Sequence, residues 1–105
     1  MKEEVIQFIG VSDLNAEEQA IVNALSTEYY QKIKRSLNNL TSLAVHVKVH
    51  SKEGSKKKFA IRIRAIAPTS IIEAKLAHDW DLARTLHKAF ENIEKEIEHK
   101  FKKVS

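Results

Sequence analysis

The segment from Asp79 to Val104 is the longest uninterrupted helical pattern in the chain, and it contains neither glycine nor proline. Its apolar residues recur at spacings of three and four: Leu82, Leu86, Ala89, Phe90, Ile93, Ile97 and Phe101. These positions form one stripe at about 100° per residue, which predicts a helix with a single buried face. A helix of about 24 residues is roughly 36 Å long. The rest of the chain must therefore supply a flat apolar surface to cover it.

Alternation of apolar and polar residues, which is typical of half-buried strands, predicts where that surface comes from. Three segments alternate in this way: Leu43 to His50, Lys58 to Ala67 and Ser70 to Ala77. A β-branched and aromatic run from Val5 to Ile9, ending at Gly10, predicts a further strand at the start of the chain. The polar stretch from Ser51 to Lys57 predicts a long mobile hairpin tip.

The same alternation predicts which face of the sheet each side chain occupies. We expect these to face inward: Leu43, Val45, Val47, Val49, Phe59, Ile61, Ile63, Ala65, Ile72, Ala74 and Leu76. The outer face then receives mainly basic side chains: His46, Lys48, His50, Lys58, Arg62, Arg64 and Lys75. Glu73 is nearly the only acidic residue predicted there.

Helix boundaries are indicated by capping residues. Asn15 and Glu18 have the spacing of a capping box, so a first helix should begin at Ala16 and end near Asn38. Its predicted buried row is Ile21, Leu25, Tyr29, Ile33 and Leu37, with Val22 and Leu40 alongside. Asp79 is the predicted N-cap of the last helix.

The order of elements is thus β-α-β-β-β-α, within a single domain spanning residues 1–105. The predicted fold class is α+β: a two-layer sandwich with two helices packed on one face of a four-stranded sheet. The first two strands should be parallel neighbours joined by a right-handed crossover, and the remaining strands should form an antiparallel meander.

The chain lacks the residues that several classes of function need. The chain has no cysteine, and its two glycines do not suffice for a phosphate-binding loop. His46 and His50 would lie roughly 13 Å apart on one strand, and no metal-binding spacing of histidines occurs. We therefore expect no metal, no cofactor, no small-molecule substrate and no enzymatic activity.

The sequence also predicts where in the cell the protein is located. No apolar run approaches the 18 or more residues of a membrane span. The first residues, Met1 to Glu4, lack the apolar segment of a signal peptide. We expect a cytoplasmic protein that does not associate with membranes.

A net charge of +4 invites a nucleic-acid hypothesis, although each basic group could also be an ordinary solvated surface. The outer sheet face is the cleanest basic surface and could follow phosphates. No aromatic residue is predicted on that face, which disfavours base stacking. Trp80 is expected to be a core or half-buried anchor of the last helix, with an exposed stacking residue as the alternative.

The entry to the last helix resembles that of the ribosome hibernation promoting factors and ribosome-associated translation inhibitors. The family has a glycine after the first strand, like Gly10, and an alanine-containing fourth strand, like Ile72-Glu73-Ala74. The family helix pattern is matched by Asp81, Leu82, Leu86, Ile93 and Ile97, and the basic ending by His99 and Lys100. The chain is similar to a divergent, short-form member.

The resemblance implies binding to the rRNA of the small ribosomal subunit, with inhibition of translation or protection of idle ribosomes under stress. It implies contacts from basic residues on and between the helices: Lys32, Lys34, Arg35, Lys88, Lys95, His99 and Lys100. Dimerisation of ribosomes through the additional C-terminal domain of long members is not expected.

The last helix also carries four acids that depart from the family: Glu91, Glu94, Glu96 and Glu98. Either docking uses another face, or a different partner is bound. Two alternatives stay open: another RNA-binding module on a scaffold like that of double-stranded-RNA-binding domains, and a protein-interaction or oligomerising domain.

Overall fold

The computed structural model describes residues 5–54 and 56–102, with the side chains of residues 51–53, 101 and 102 left out. Its elements are β1 Ile6–Ile9, α1 Ala16–Ser36, β2 Ser42–Glu53, β3 Lys56–Ala67, β4 Ser70–Glu73, β5 Ala77–Asp79 and α2 Leu82–Lys102. A single 3-10 turn, Val11–Asp13, precedes α1. The predicted end of the last helix at Val104 lies outside the described residues.

The predicted α+β sandwich is confirmed. The sheet has the order β1-β2-β3-β4, with β5 also paired to β3, and the two helices pack against it. β1 and β2 are parallel neighbours, and the remaining pairs are antiparallel. No helix of the described residues is long and apolar enough to cross a membrane.

The core lies between the sheet and the helix layer. The inward residues of β2 and β3 are almost completely buried except Val49, which is partly buried, and so are those of the α2 stripe from Leu82 to Ile97. The two helices meet at Tyr29, whose ring stacks on Phe90 with centroids 4.6 Å apart. The Tyr29 hydroxyl also forms a 2.7 Å hydrogen bond with Nδ1 of His87. The long helix is therefore covered on one side, as its apolar stripe requires.

The predicted fourth strand is in fact two strands. Arg64 pairs with Glu73, whereas Ile61 pairs with Ala77, so residues 74–76 stand opposite only residues 62 and 63. One extra residue of this kind is a β-bulge, and it reverses the alternation beyond it. Leu76, which was predicted to face inward, is exposed for this reason, and Ala77 is buried instead.

The prediction of a long loop between β2 and β3 is wrong. The ladder continues almost to the turn, with Lys52 paired to Lys57 and Glu53 to Lys56. Gly54 has a φ of 60°, the left-handed conformation that tight hairpin turns need. Backbone pairing across the hairpin therefore outweighs the polar composition of the segment.

Two assignments in the helices also need correction. Asp81, not Asp79, caps α2, because its Oδ1 accepts a 2.9 Å hydrogen bond from the backbone N–H of Arg84. In α1 the capping box of Asn15 and Glu18 is confirmed. Ile21 of the predicted buried row is exposed, whereas Val22 and Leu40, which were predicted alongside that row, are buried.

Candidate nucleic-acid interface

We call the outer face of β2 and β3 the basic face, because it carries His46, Lys48, His50, Lys58, Arg62 and Arg64. They come together because β2 and β3 are antiparallel and in register, so that His46 lies directly opposite Arg62. Side chains at such paired positions have Cβ atoms about 5 Å apart. The face therefore concentrates positive charge over two adjacent strands, as the alternation predicted.

Among the side chains that the structure describes, Glu73 is the one acidic residue that this pairing brings against the basic face. It lies opposite Arg64, whose guanidinium donates a 2.7 Å hydrogen bond to Glu73 Oε2. That hydrogen bond, followed by the charge of Arg64, lowers the pKa of Glu73 from its ordinary value. Neither Lys48 nor Arg62 forms a salt bridge with any residue whose side chain is described. Arg64 is thus partly neutralised, whereas Lys48 and Arg62 are available to an external anion.

A shallow cavity of about 280 Å³ lies within the basic face. Its lining residues are His46, Lys48, His50, Ala60, Arg62 and Leu76. Small Ala60 forms part of the lining between larger side chains, and Leu76 reaches the cavity because of the bulge. A concave, basic site of this size suits a phosphate group and part of its sugar.

The helix side of the molecule has mixed charge, with several acidic side chains gathered in one groove. Between α1 and α2 runs an open groove of about 440 Å³, which we call the acidic groove. It is lined by Ile33, Ser36, Glu91, Glu94, Lys95, Ile97 and Glu98. Burial, and then the charges of Glu91, Glu94 and Glu28, raise the pKa of Tyr29. Three carboxylates thus place the helix layer in a negative field.

The helix-side basic residues do not form one surface with the basic face. Lys32, Lys34 and Arg35 are exposed on α1, and the Lys32 ammonium lies 4.9 Å from the centroid of the Tyr29 ring. On α2, Lys88 donates a 2.9 Å hydrogen bond to Asp79 Oδ2, and Lys95 lies in the acidic groove.

The remaining predicted contacts are at the edge of the sandwich. His99 and Lys100 line a groove beside β4 together with Ile71, Ile72, Glu73 and Glu96. Lys75 is exposed in the segment between β4 and β5, and its carbonyl accepts a 3.2 Å hydrogen bond from Asn92.

Trp80 is exposed, which was the alternative to the core or half-buried anchor that the sequence favoured. It lies outside the core with 44% of its surface exposed, and the Lys58 ammonium is 5.9 Å from its ring centroid. An aromatic ring therefore stands at one end of the basic face. Trp80 follows β5, the strand that continues the sheet beyond the bulge, and the sequence pattern did not predict β5 as a separate strand.

The described residues contain no group of three or more histidine and acidic side chains that could hold a metal ion. No protein-family model matches the chain, and no curated protein is similar enough in sequence to count as a relative.

Proposed function

We propose that this protein binds the rRNA of the small ribosomal subunit through its basic face. The observation that carries the proposal is the concentration of basic side chains on the sheet side, whereas the helix side has mixed charge and an acidic groove. On the sheet side Lys48 and Arg62 form no salt bridge with a described side chain, and Arg62 acts on Glu73 only through its charge, whereas the helix side presents the acidic groove. A polyanion is attracted to the first surface and repelled by the second.

The ribosomal part of the proposal is supported by the resemblance to hibernation factors. The β-α-β-β-β-α order that the family shares corresponds to the order of this fold when β4 and β5 are counted as one strand interrupted by the bulge. The residues that carry the resemblance in the last helix are structural: Asp81 caps the helix, while Leu82, Leu86, Ile93 and Ile97 are buried. They support the family scaffold, and the choice of RNA-binding surface depends on other residues.

In this proposal the protein is a non-catalytic cytoplasmic factor that occupies an rRNA site and silences or protects idle ribosomes. The contacts are assigned to Lys48, Lys58, Arg62 and Arg64 first. The helix-side residues are secondary, because Lys88 is held by Asp79 and Lys95 is surrounded by glutamates.

Sucrose-gradient sedimentation of cell extract tests the proposal. The wild-type protein should sediment with small subunits or whole ribosomes at low salt and move to the top of the gradient as salt rises. The double variant Lys48→Glu/Arg62→Glu should stay at the top at low salt. Lys34→Glu/Arg35→Glu is the matched control, with the same charge change on α1, and should sediment like wild type.

Two results would contradict the proposal. Wild-type protein that remains at the top of the gradient at low salt would rule out ribosome binding. If the α1 variant lost sedimentation and the sheet variant retained it, the helix side would be the interface.

A second candidate function, an oligomerising or protein-interaction domain, is favoured by apolar residues at the outer surface of the sheet. Ile9, Ile71 and Leu76 are exposed by 45, 61 and 42%. Light scattering over a range of protein concentrations distinguishes the two. Self-association that is abolished by Ile71→Ser and Leu76→Ser, without any ribosome binding, would favour this alternative.

A further inference from the structure

Trp80 is the only tryptophan of the chain, and its backbone is held firmly although its ring is exposed. The preceding residue, Asp79, pairs with Phe59 in the sheet. The Oδ1 atom of Asp79 also accepts a 2.6 Å hydrogen bond from the backbone N–H of Trp80. The ring is therefore presented from an ordered junction between β5 and α2.

The surroundings of the ring are basic. Lys58 lies on the neighbouring strand with its ammonium 5.9 Å from the ring centroid, within the range of a cation–π contact. His78, two residues before Trp80, is exposed and pairs with Ala60, which lines the phosphate-sized cavity. At about 3.3 Å per residue, Trp80 lies roughly 7 Å along the strand direction from His78.

A single exposed aromatic residue is common on protein surfaces and does not by itself indicate a ligand. Here the ring is next to a cation and continuous with a surface that suits phosphates. A nucleotide has both complementary parts, because its base offers a π-face and its phosphate a negative charge. In a duplex the base faces are covered by their neighbours, so only an unpaired nucleotide can use the ring.

We propose that Trp80 stacks on an unpaired base of the bound RNA while the ammonium of Lys58 contacts the phosphate of the same nucleotide. The inference rests on the proposed RNA-binding function and adds to it a preference for unpaired nucleotides. The basic face supplies contacts that do not depend on base pairing. Trp80 makes the protein favour loops, bulges or single strands over a continuous duplex.

The test uses the full chain and two labelled RNAs: a stem-loop with unpaired adenines in its loop, and a fully paired duplex with the same stem. Fluorescence anisotropy gives the Kd for each. Trp80→Leu should raise the Kd for the stem-loop about 5- to 140-fold and leave that for the duplex unchanged, since stacking involves only the loop. Trp80→Phe, which keeps a ring, should bind the stem-loop more tightly than Trp80→Leu.

Ile71→Ala is the matched control, because it removes another exposed apolar side chain of the same sheet and should change neither Kd. Wild-type tryptophan emission provides a second readout, and unlabelled stem-loop should quench it while duplex does not. Far-UV circular dichroism of each variant verifies that it is folded.

Failure of the inference can be told apart from failure of the proposed function. If both RNAs bind to wild type but Trp80→Leu alters neither Kd and emission is unchanged, the stacking role is wrong and RNA binding stands. If neither RNA binds at low salt, both are wrong. Quenching that follows protein concentration without RNA would mean that a second copy covers the ring, which also overturns the inference.

Discussion

Gly10 is the position where the backbone restricts the residue type most strongly. Its φ is 84°, and an added Cβ would overlap the backbone carbonyl of Val47 on the neighbouring strand β2. The left-handed conformation alone costs a residue with a side chain about 1–2 kcal/mol. Gly10 therefore allows β1 to lie against β2 and the chain to turn into α1.

Gly10→Ala should lower the free energy of unfolding by about 2 kcal/mol or more, since conformational strain and overlap add. Gly54→Ala is the matched control, because its φ is 60° but nothing lies near the added Cβ. It should cost only about 1 kcal/mol. Urea denaturation measures both, and equal losses would show that the contact with Val47 does not matter.

Asp79, the last residue of β5, forms an ion pair with a lysine of α2. Its side chain is 16% exposed and forms a 2.9 Å ion pair with Lys88. The hydrogen bond from Lys88, opposed by partial burial and aided by the N–H groups of Trp80 and Asp81, lowers the pKa of Asp79 from 3.8 to about 2. A carboxyl with a lowered pKa in the folded state stabilises the fold only while it is ionised.

The stabilisation from Asp79 should be complete above its unfolded pKa of 3.8 and should be lost as the pH falls through about 2. Asp79→Asn should therefore have a lower Tm than wild type at pH of about 5, and the two values should converge near pH of about 2. Thermal melts followed by circular dichroism across this range measure the difference. A constant difference in Tm would show that the carboxylate charge is not responsible.

Among the elements, the split between β4 and β5 affects the surface most. The extra residue reverses the direction of the side chains, so Ile72 is buried while Leu76 is exposed beside the cavity of the basic face. A continuous strand would have buried Leu76 as well. The bulge also directs the chain so that Trp80 ends near Lys58.

This arrangement predicts different effects for two large-to-small substitutions. Ile72→Ala should cost about 2–4 kcal/mol, because it leaves a cavity in the core. Leu76→Ala should change the stability by about 0.5 kcal/mol or less, as is usual for exposed positions. Denaturant unfolding of the two variants provides the comparison, and a similar cost at both positions would contradict the bulge.

At the scale of the whole molecule, the two sides of the sandwich differ in how their charges are distributed. The sheet holds the basic face on one side, and the packing of α1 against α2 assembles the acidic groove on the other. The net charge of +4 conceals this asymmetry. An anionic partner should therefore bind in one orientation, with the helices facing away.

The different charge on the two sides of the sandwich predicts how RNA affinity depends on salt concentration. Each phosphate contact contributes about −0.7 to −0.9 to the slope of log Kobs against log salt concentration. Lys48→Gln/Arg62→Gln should make the slope for a stem-loop RNA less steep by about 1.4–1.8, and Lys34→Gln/Arg35→Gln should leave it unchanged. Binding titrations at several salt concentrations measure the slopes. Equal changes in both variants would mean that the two sides contribute alike.

The helices, the strands and the basic face could be predicted from the sequence because they follow from local periodicity. A side chain's direction along a strand or helix is set by its own segment, so Lys48, Arg62 and the α2 stripe were assigned to the correct faces. The capping box of Asn15 and Glu18 is equally local.

The bulge, the acidic groove and the exposure of Trp80 were decided by tertiary structure. Each depends on a partner distant in sequence: β3 determines where β4 ends, and α1 brings Ser36 and Ile33 beside the glutamates of α2. Strand register results from a balance of pairings that no single segment contains. The sequence by itself thus determined the two layers and their basic side, and the pairing with β3 placed the aromatic ring beside it.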